Sequence, residues 1–291
     1  MSVFLSRPYD EHRYHLALGI EPRSSLTGSR LDAGLEVRWE RYPKPVGRWR
    51  TWRPGETLTD VLPRIDRHSS GRFARRYDEE VARPMLVRLV DRQRRYVPRR
   101  LEIPIPDEAT VVGAVGPHLV PDPAWRRSFP VDLFPGAAAP LTSGATVLRG
   151  HVVRQVGGVP QPVRWARVRA VTPTGAEIGW AHGDDRGEFV LVLRPARGAL
   201  TVPVDPMVVE LTVSRPDPPP VPPASDPDLA RVDPLWDLPL ETVVPSRTPA
   251  TEATLTGRRF IPTFLDRAPL SPAGPLSLRH GRQTSVVLTI A

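Results

Sequence analysis

His182, Asp184 and Asp185 fall together in WAHGDDRGEFVLVL (180–193), and imidazole and carboxylate groups at this spacing are types that hold a divalent cation or move a proton. A metal needs further donors. No second cluster supplies them, His151 is the other histidine of the surrounding strand-like sequence, and no HExxH helix motif occurs. The same residues also spell a tight turn. Aspartates at 184 and 185 can bond nearby backbone, Gly187 can take positive φ, and Phe189, Leu191 and Leu193 then alternate toward one core. The turn accounts for more of the residues than the metal does.

Other catalytic templates are missing. The chain has no cysteine, which removes disulfides, thiolate metal sites and cysteine nucleophiles together. No GxSxG elbow and no phosphate-binding GxxxxGK[ST] loop is present. Glu36, Glu40 and Glu210 are the acids that a glycosidase-type pair would need, and each reads as an outward-facing strand residue. No catalytic residue, cofactor site or metal site is assigned, and the chain is read as a non-enzyme.

The elements that carry these residues are β-strands. Of 291 residues 37 are proline, against a usual share of about 5%, and 21 are glycine. Proline breaks helix interiors and sits at strand edges and turns, so short strands joined by proline-rich loops are expected. Residues 12–20, 35–42, 72–77, 85–91 and 95–105 read as strands, with a hairpin tip at 92–94 and a short helix within 57–68 broken at Pro63. Residues 146–155, 162–173, 176–182, 187–195 and 207–216 read as a second set, and 282–291 as a closing strand. The predicted fold is all-β, with two antiparallel β-sandwiches of immunoglobulin-like or transthyretin-like type. The N-terminal one spans 1–104. A proline-rich surface connector follows at 105–145. The second sandwich occupies 146–291, with a proline-rich insertion at 215–281.

LRGHVV, PQPVRWARVRAVTPTG and IGWAHGDDRGEFVLVLRP, in that order, carry Gly150, Pro162, Ala166, Val168, Gly175, Asp185, Gly187, Phe189 and Leu191. This pattern resembles the carboxypeptidase regulatory-like domain, a transthyretin-like β-sandwich, over about 146–214. The resemblance implies a non-catalytic accessory module. YHLALGIEPRSSLTGSRLDAGLEVRWE and DVLPRIDRHSSGRFARRYDEE resemble uncharacterised proteins of high-GC bacteria that are similar to proteins encoded with phage-tail-like contractile injection particles.

Net charge is +8 and the pI about 10.7, but Lys44 is the only lysine and the arginines are interspersed with Asp and Glu along the chain. Neither a nucleic-acid partner nor a membrane span is expected, and no secretory signal is read at the N-terminus, which fits a cytoplasmic protein, assembled into a particle and open to release. The expected partners are other protein subunits, further copies of the chain included. Leu235, Trp236 and Leu240 stand in a proline-rich arm that a free linker would not need, and are expected to dock on a neighbouring subunit; Trp125 is expected to pin the connector. Trp49 and Trp52, set among arginines, form either a partner- or sugar-binding loop or an indole cap on the sandwich. The sequence therefore points to a structural subunit of a large assembly, with a baseplate, cap or accessory component of a contractile injection particle as the specific form. The alternative is a carbohydrate- or cell-surface-binding sandwich module.

Overall fold

The computed structural model describes residues 15–31, 34–40, 56–77, 81, 84–113, 127–193, 205–216, 218–222, 224, 229–245, 258–262 and 270–290. Trp49, Trp52 and Trp125 lie outside the described residues.

The fold is all-β. β1 (Leu16–Ser24), β3 (Asp66–Arg67), β4 (Phe73–Arg76) and β7 (Ser128–Leu133) form one sheet in the order β3-β4-β1-β7. A second sheet contains β2 (Leu35–Glu40), β5 (Met85–Asp91), β6 (Arg99–Ile103), β14 (Leu240–Pro245) and β15 (Arg258–Pro262), ordered β15-β14-β6-β5-β2. Leu18, Ile20, Phe129 and Val131 of the first sheet meet Val37, Trp39, Val87 and Leu101 of the second in one buried core. The short helix α1 (Leu58–Val61) stops before Pro63, as expected, and Thr57 and Asp60 cap it reciprocally.

A second sandwich packs β8 (Thr146–Val156), β12 (Glu188–Leu193) and β17 (Gln283–Ile290) against β10 (Arg167–Val171), β11 (Glu177–His182), β13 (Met207–Ser214) and β16 (Leu270–Leu278), with β9 (Val159–Pro162) as a hairpin partner of β8. Leu148, Val152, Phe189 and Leu191 face Val168, Ala170, Val209 and Leu211 in its core.

The two sandwiches repeat one plan. In each, the first strand lies between an antiparallel neighbour and its last strand, which runs parallel to it: β4-β1-β7 and β12-β8-β17. The opposite sheet is an antiparallel series in each, β2-β5-β6 and β10-β13-β16. The parallel pairs amend the antiparallel expectation. The β5–β6 connection is the short turn at Arg92–Pro98, whereas the equivalent β13–β16 connection is the long excursion that includes β14 and β15.

Two segments sit elsewhere than their sequence implied. The stretch read as a surface connector supplies β7, a strand of the first sandwich, and α2 (Glu108–Gly113). The stretch read as an insertion belonging to the second sandwich supplies β16 to that sandwich, but sends β14 back to the first, where Leu240, Glu241 and Thr242 run parallel to Arg100, Leu101 and Glu102. Strand addition satisfies the outward amides of β6, an edge that would otherwise stand unpaired.

Candidate functional site

The residues singled out for chemistry meet where the returning arm passes between the sandwiches. The turn after β11 is built by Asp184, whose Oδ1 accepts from the backbone N–H groups of Arg186 (2.8 Å) and Glu188 (3.0 Å). Gly187 closes it at φ +74°, and a Cβ there would lie 2.7 Å from the Val152 carbonyl. The remaining carboxylate oxygens face the first sandwich. Arg94, at the tip of the β5–β6 hairpin, donates Nη2 to Asp184 Oδ2 and to Asp185 Oδ1 (2.8 Å). Burial alone would lower the Arg94 pKa, but the two aspartates outweigh it and raise it. A guanidinium thus takes the place that a metal would need, and among the described residues no group of three or more His, Cys, Asp and Glu could hold one.

His182 is not part of that polar set. Its ring stacks on Phe134 with centroids 3.7 Å apart, it is buried, and among the described residues its Nδ1 has no hydrogen-bond partner. Burial, reinforced by Arg167 and Arg99, holds its pKa well below the ordinary 6.5. The consequence for stability has a definite sign. Above 6.5 the ring is neutral in both folded and unfolded chains and contributes no pH dependence. Below it the unfolded chain takes up a proton that the folded one refuses, so stability falls by up to about 1.4 kcal/mol per pH unit until the folded value is reached. His182→Phe, which keeps a flat ring against Phe134, is expected to flatten the loss of thermal midpoint between pH ~6.5 and ~5. Glu21, Glu36 and Glu40, held below the ordinary 4.5, add their own loss only at more acid pH. An unchanged pH profile in the variant would refute this role.

The arm is clasped at successive points. Arg164 donates to Asp237 (2.6 and 2.5 Å), to the Asp185 carbonyl (3.0 Å) and to the Pro234 carbonyl (2.8 Å), so the turn at 234–237 is stapled to the turn at 184–187. Beneath it Trp165 is fully buried and forms a small apolar cluster with Val97 of the first sandwich and Leu238 of the arm, against which Leu235 packs. Trp165 holds φ at +59°, and its N–H donates to the Asp184 carbonyl (3.0 Å). That conformation is uncommon for a large residue and persists where surroundings dictate it.

Glu241 is buried where the arm meets both sandwiches. Only 1% exposed, it accepts from Arg99 Nε (3.2 Å) and Nη2 in the first sandwich, and Arg167 Nη2 of the second lies 3.5 Å from it. Complete burial and the neighbouring Arg99 bring Arg167 down to about 10 against the pull of Glu241, so it stays a cation at neutral pH. One carboxylate therefore joins both sandwiches and the arm.

Arg38, Arg88 and Arg100 stand in one row across β2, β5 and β6 on the face away from the core. α3 (Leu229–Val232) leads into Asp233, which accepts from Arg88 Nη1 at 2.8 Å. Glu40 accepts from Arg88 and from Arg100 (2.9 and 2.6 Å). Burial would lower Arg88, but Glu40 and Asp233 together raise it. Glu40, read as an outward strand acid, is buried, with both arginine partners already engaged. Glu36 bonds Arg38 and Arg92, and Glu210 is exposed on β13.

Of the sequence-selected contact residues, Leu235 and Leu240 sit in this clasp and Trp236 is partly exposed on the turn, its N–H bonded to the Asp233 carbonyl (2.9 Å). The stretch expected on a neighbouring subunit is docked on its own chain. Sequence reasoning missed Arg94, Arg99, Arg167 and Glu241, whose roles depend on partners up to 142 residues away. A cavity of about 270 Å³ beside the clasp, lined by Arg92, Tyr96 and Pro98 among others, is bordered by charges that are already paired. No helix among the described residues is long and apolar enough to cross a membrane.

No family model matches the chain, and no curated protein matches it. Among solved structures, it is similar to the minor pilin GBS52 of Streptococcus agalactiae, at 8% identity over 95% of each chain with a TM-score of 0.23. It is also similar to the shaft pilin SpaA of Lactobacillus rhamnosus GG, at 7% identity over 96% of this chain and 98% of the pilin, with a TM-score of 0.21. The Bacillus anthracis TIE protein matches at 6% identity and a TM-score of 0.22 over 95% of this chain and 34% of its own. At such scores these likenesses carry no functional argument.

Proposed function

We propose that the chain is a non-enzymatic structural subunit of a large protein assembly, made in the cytoplasm. The observation that carries this reading is the clasp: Glu241, on an arm returning from the second sandwich, lies between Arg99 of the first and Arg167 of the second. An arrangement that spends its buried carboxylates on arginines fixes two modules in one orientation, which suits a part that must hold its neighbours at set positions. Interlocked charges favour such a single arrangement over competing ones, a use of buried ion pairs met in other proteins.

The specific assembly favoured is a phage-tail-like contractile injection particle, with this chain as a baseplate, cap or accessory component. The resemblance of 14–40 and 60–80 to proteins encoded with such particles supports it, as does the likeness of 146–214 to the carboxypeptidase regulatory-like module found in many assemblies. A tagged copy expressed in the native host is expected to sediment with particle-sized material that also contains sheath and tube proteins. Recovery in a smaller complex without those proteins would sink the injection-particle assignment, and recovery as a free chain would sink the subunit reading as well.

A further inference from the structure

Among the described residues β17 is an open edge, and its sequence lacks the obstacles that several other edges carry. Several other described edges carry an obstacle to strand addition. The outer edge of β2 is met by the chain at Pro63–Ile65, through Trp39 N–H to the Pro63 carbonyl (3.1 Å) and Ile65 N–H to the Val37 carbonyl (2.8 Å). β6 is covered by β14, and β3 is two residues long. β7, the counterpart of β17 in the first sandwich, contains Pro130, and β16 contains Pro272 and Pro275. β17, QTSVVLTI, has neither a proline nor a charge along its eight residues.

The direction of its free groups follows from its pairing with β8. Val147 N–H donates to the Arg282 carbonyl (3.0 Å), and Gln283 stands opposite Val147 in the parallel register. Successive residues of a strand point their amides to opposite sides. Thr284, Val286, Leu288 and Ile290 therefore turn theirs toward β8, and Gln283, Ser285, Val287 and Thr289 turn theirs to the open side, where no described strand pairs. Val287 lies within this set, and its side chain is 62% exposed.

We propose that this edge pairs with the same edge of a second copy, antiparallel about a two-fold axis through Val287. That register sets Val287 opposite its own counterpart and Ser285 opposite the counterpart of Thr289. All are residues whose amides face outward, so each opposed pair exchanges two hydrogen bonds, as a narrow antiparallel pair requires. Valine against valine and serine against threonine are favourable cross-strand neighbours. The net charge of +8 does not oppose the contact locally. Arg282 stands five residues from the axis, so the two copies of it are roughly 34 Å apart, several screening lengths at physiological salt. The self-complementary pattern favours a second copy over a foreign strand, and the inference does not depend on which assembly the chain joins.

The test is a dilution series of the full chain by sedimentation equilibrium. The natural chain is expected to move from monomer to dimer as concentration rises. Val287→Pro deletes an outward N–H while leaving the bonds to β8 in place, and Val287→Lys sets like charges face to face; each is expected to weaken the dimer about 10-fold or more. Val208→Lys, a change at another exposed valine on β13, is expected to dimerise as the natural chain does. Thermal melts of Val287→Lys separate lost association from lost folding. A natural chain that stays monomeric, or Val287 variants that dimerise like it, would overturn the proposal.

Discussion

Glu241→Ala is expected to destabilise the folded chain by about 3–5 kcal/mol, the cost of removing one partner from a buried set of charges. The residue is 1% exposed, and its loss would leave Arg99 and Arg167 facing one another across the junction without an anion between them. Arg167 is already brought down to about 10 by its burial and by Arg99, so the set has little slack to absorb a missing carboxylate. The measurement is the urea midpoint followed by tryptophan fluorescence. A second variant tells charge from packing. Arg99→Met, Glu241→Leu and Arg167→Met together remove every member, and apolar replacement of a whole buried ion set is often neutral or stabilising. The triple variant is expected to recover most of the midpoint. A single variant within ~0.5 kcal/mol of the natural chain would show that the triad does not hold the junction.

Trp165→Ala is expected to cost about 3–5 kcal/mol, the range for deleting a buried aromatic side chain. Its indole is wholly buried and its neighbours belong to three parts of the chain: Val97 in the β5–β6 hairpin, Leu238 in the arm, and Arg164 stacked 5.6 Å from the ring centroid. The void would open beneath the arm, so 229–245 should become cleavable by protease in the variant at concentrations that spare the natural chain. Trp165→Gly sharpens the test. Alanine keeps a Cβ at φ +59°, whereas glycine relieves it, and the glycine variant should be more stable than the alanine one by about 1 kcal/mol. Unchanged protease resistance in both would place the arm's anchorage elsewhere, at Arg164 and Asp237.

How far the sequence could be read depended on how local each feature was. β5 is a clear instance: MLVRLVD buries Met85, Val87 and Leu89 on the core side, as alternation requires. The turn at 184–187 is another, since Asp184 bonds backbone two and four residues on. β7 carried a legible signal that was passed over. Phe129, Val131 and Leu133 alternate into the core, but Pro130 and the prolines around them made the stretch read as a connector. β16 was hidden in the same way by Pro272 and Pro275. An edge strand tolerates the missing donor, so proline there disguises a strand without preventing one.

The arm shows the opposite case. Alternation gave Glu40 to the outer face of the first sandwich, and nothing local says that Asp233, 145 residues from its neighbour Arg88, will cover that face. The aliphatic and aromatic content of 234–244 did imply docking, but not the acceptor. An intramolecular edge and a neighbour's edge offer a strand the same hydrogen bonds, and only the folded path decides which lies within reach.

By itself, then, the sequence determined the material: proline and glycine exclude long helices, two-residue alternation sets which side chains of each strand face a core, and Asp-Asp-Arg-Gly makes a turn. These follow from backbone sterics and from contacts between residues close along the chain. The tertiary structure alone decided that β1 and β8 each take their last strand in parallel, that β14 leaves its sandwich to complete the other, and that Glu241 binds Arg99 and Arg167 at once. Those outcomes arise from pairing across large sequence separations, where the identity of a partner is set by which edge remains open and which buried charge remains to be neutralised.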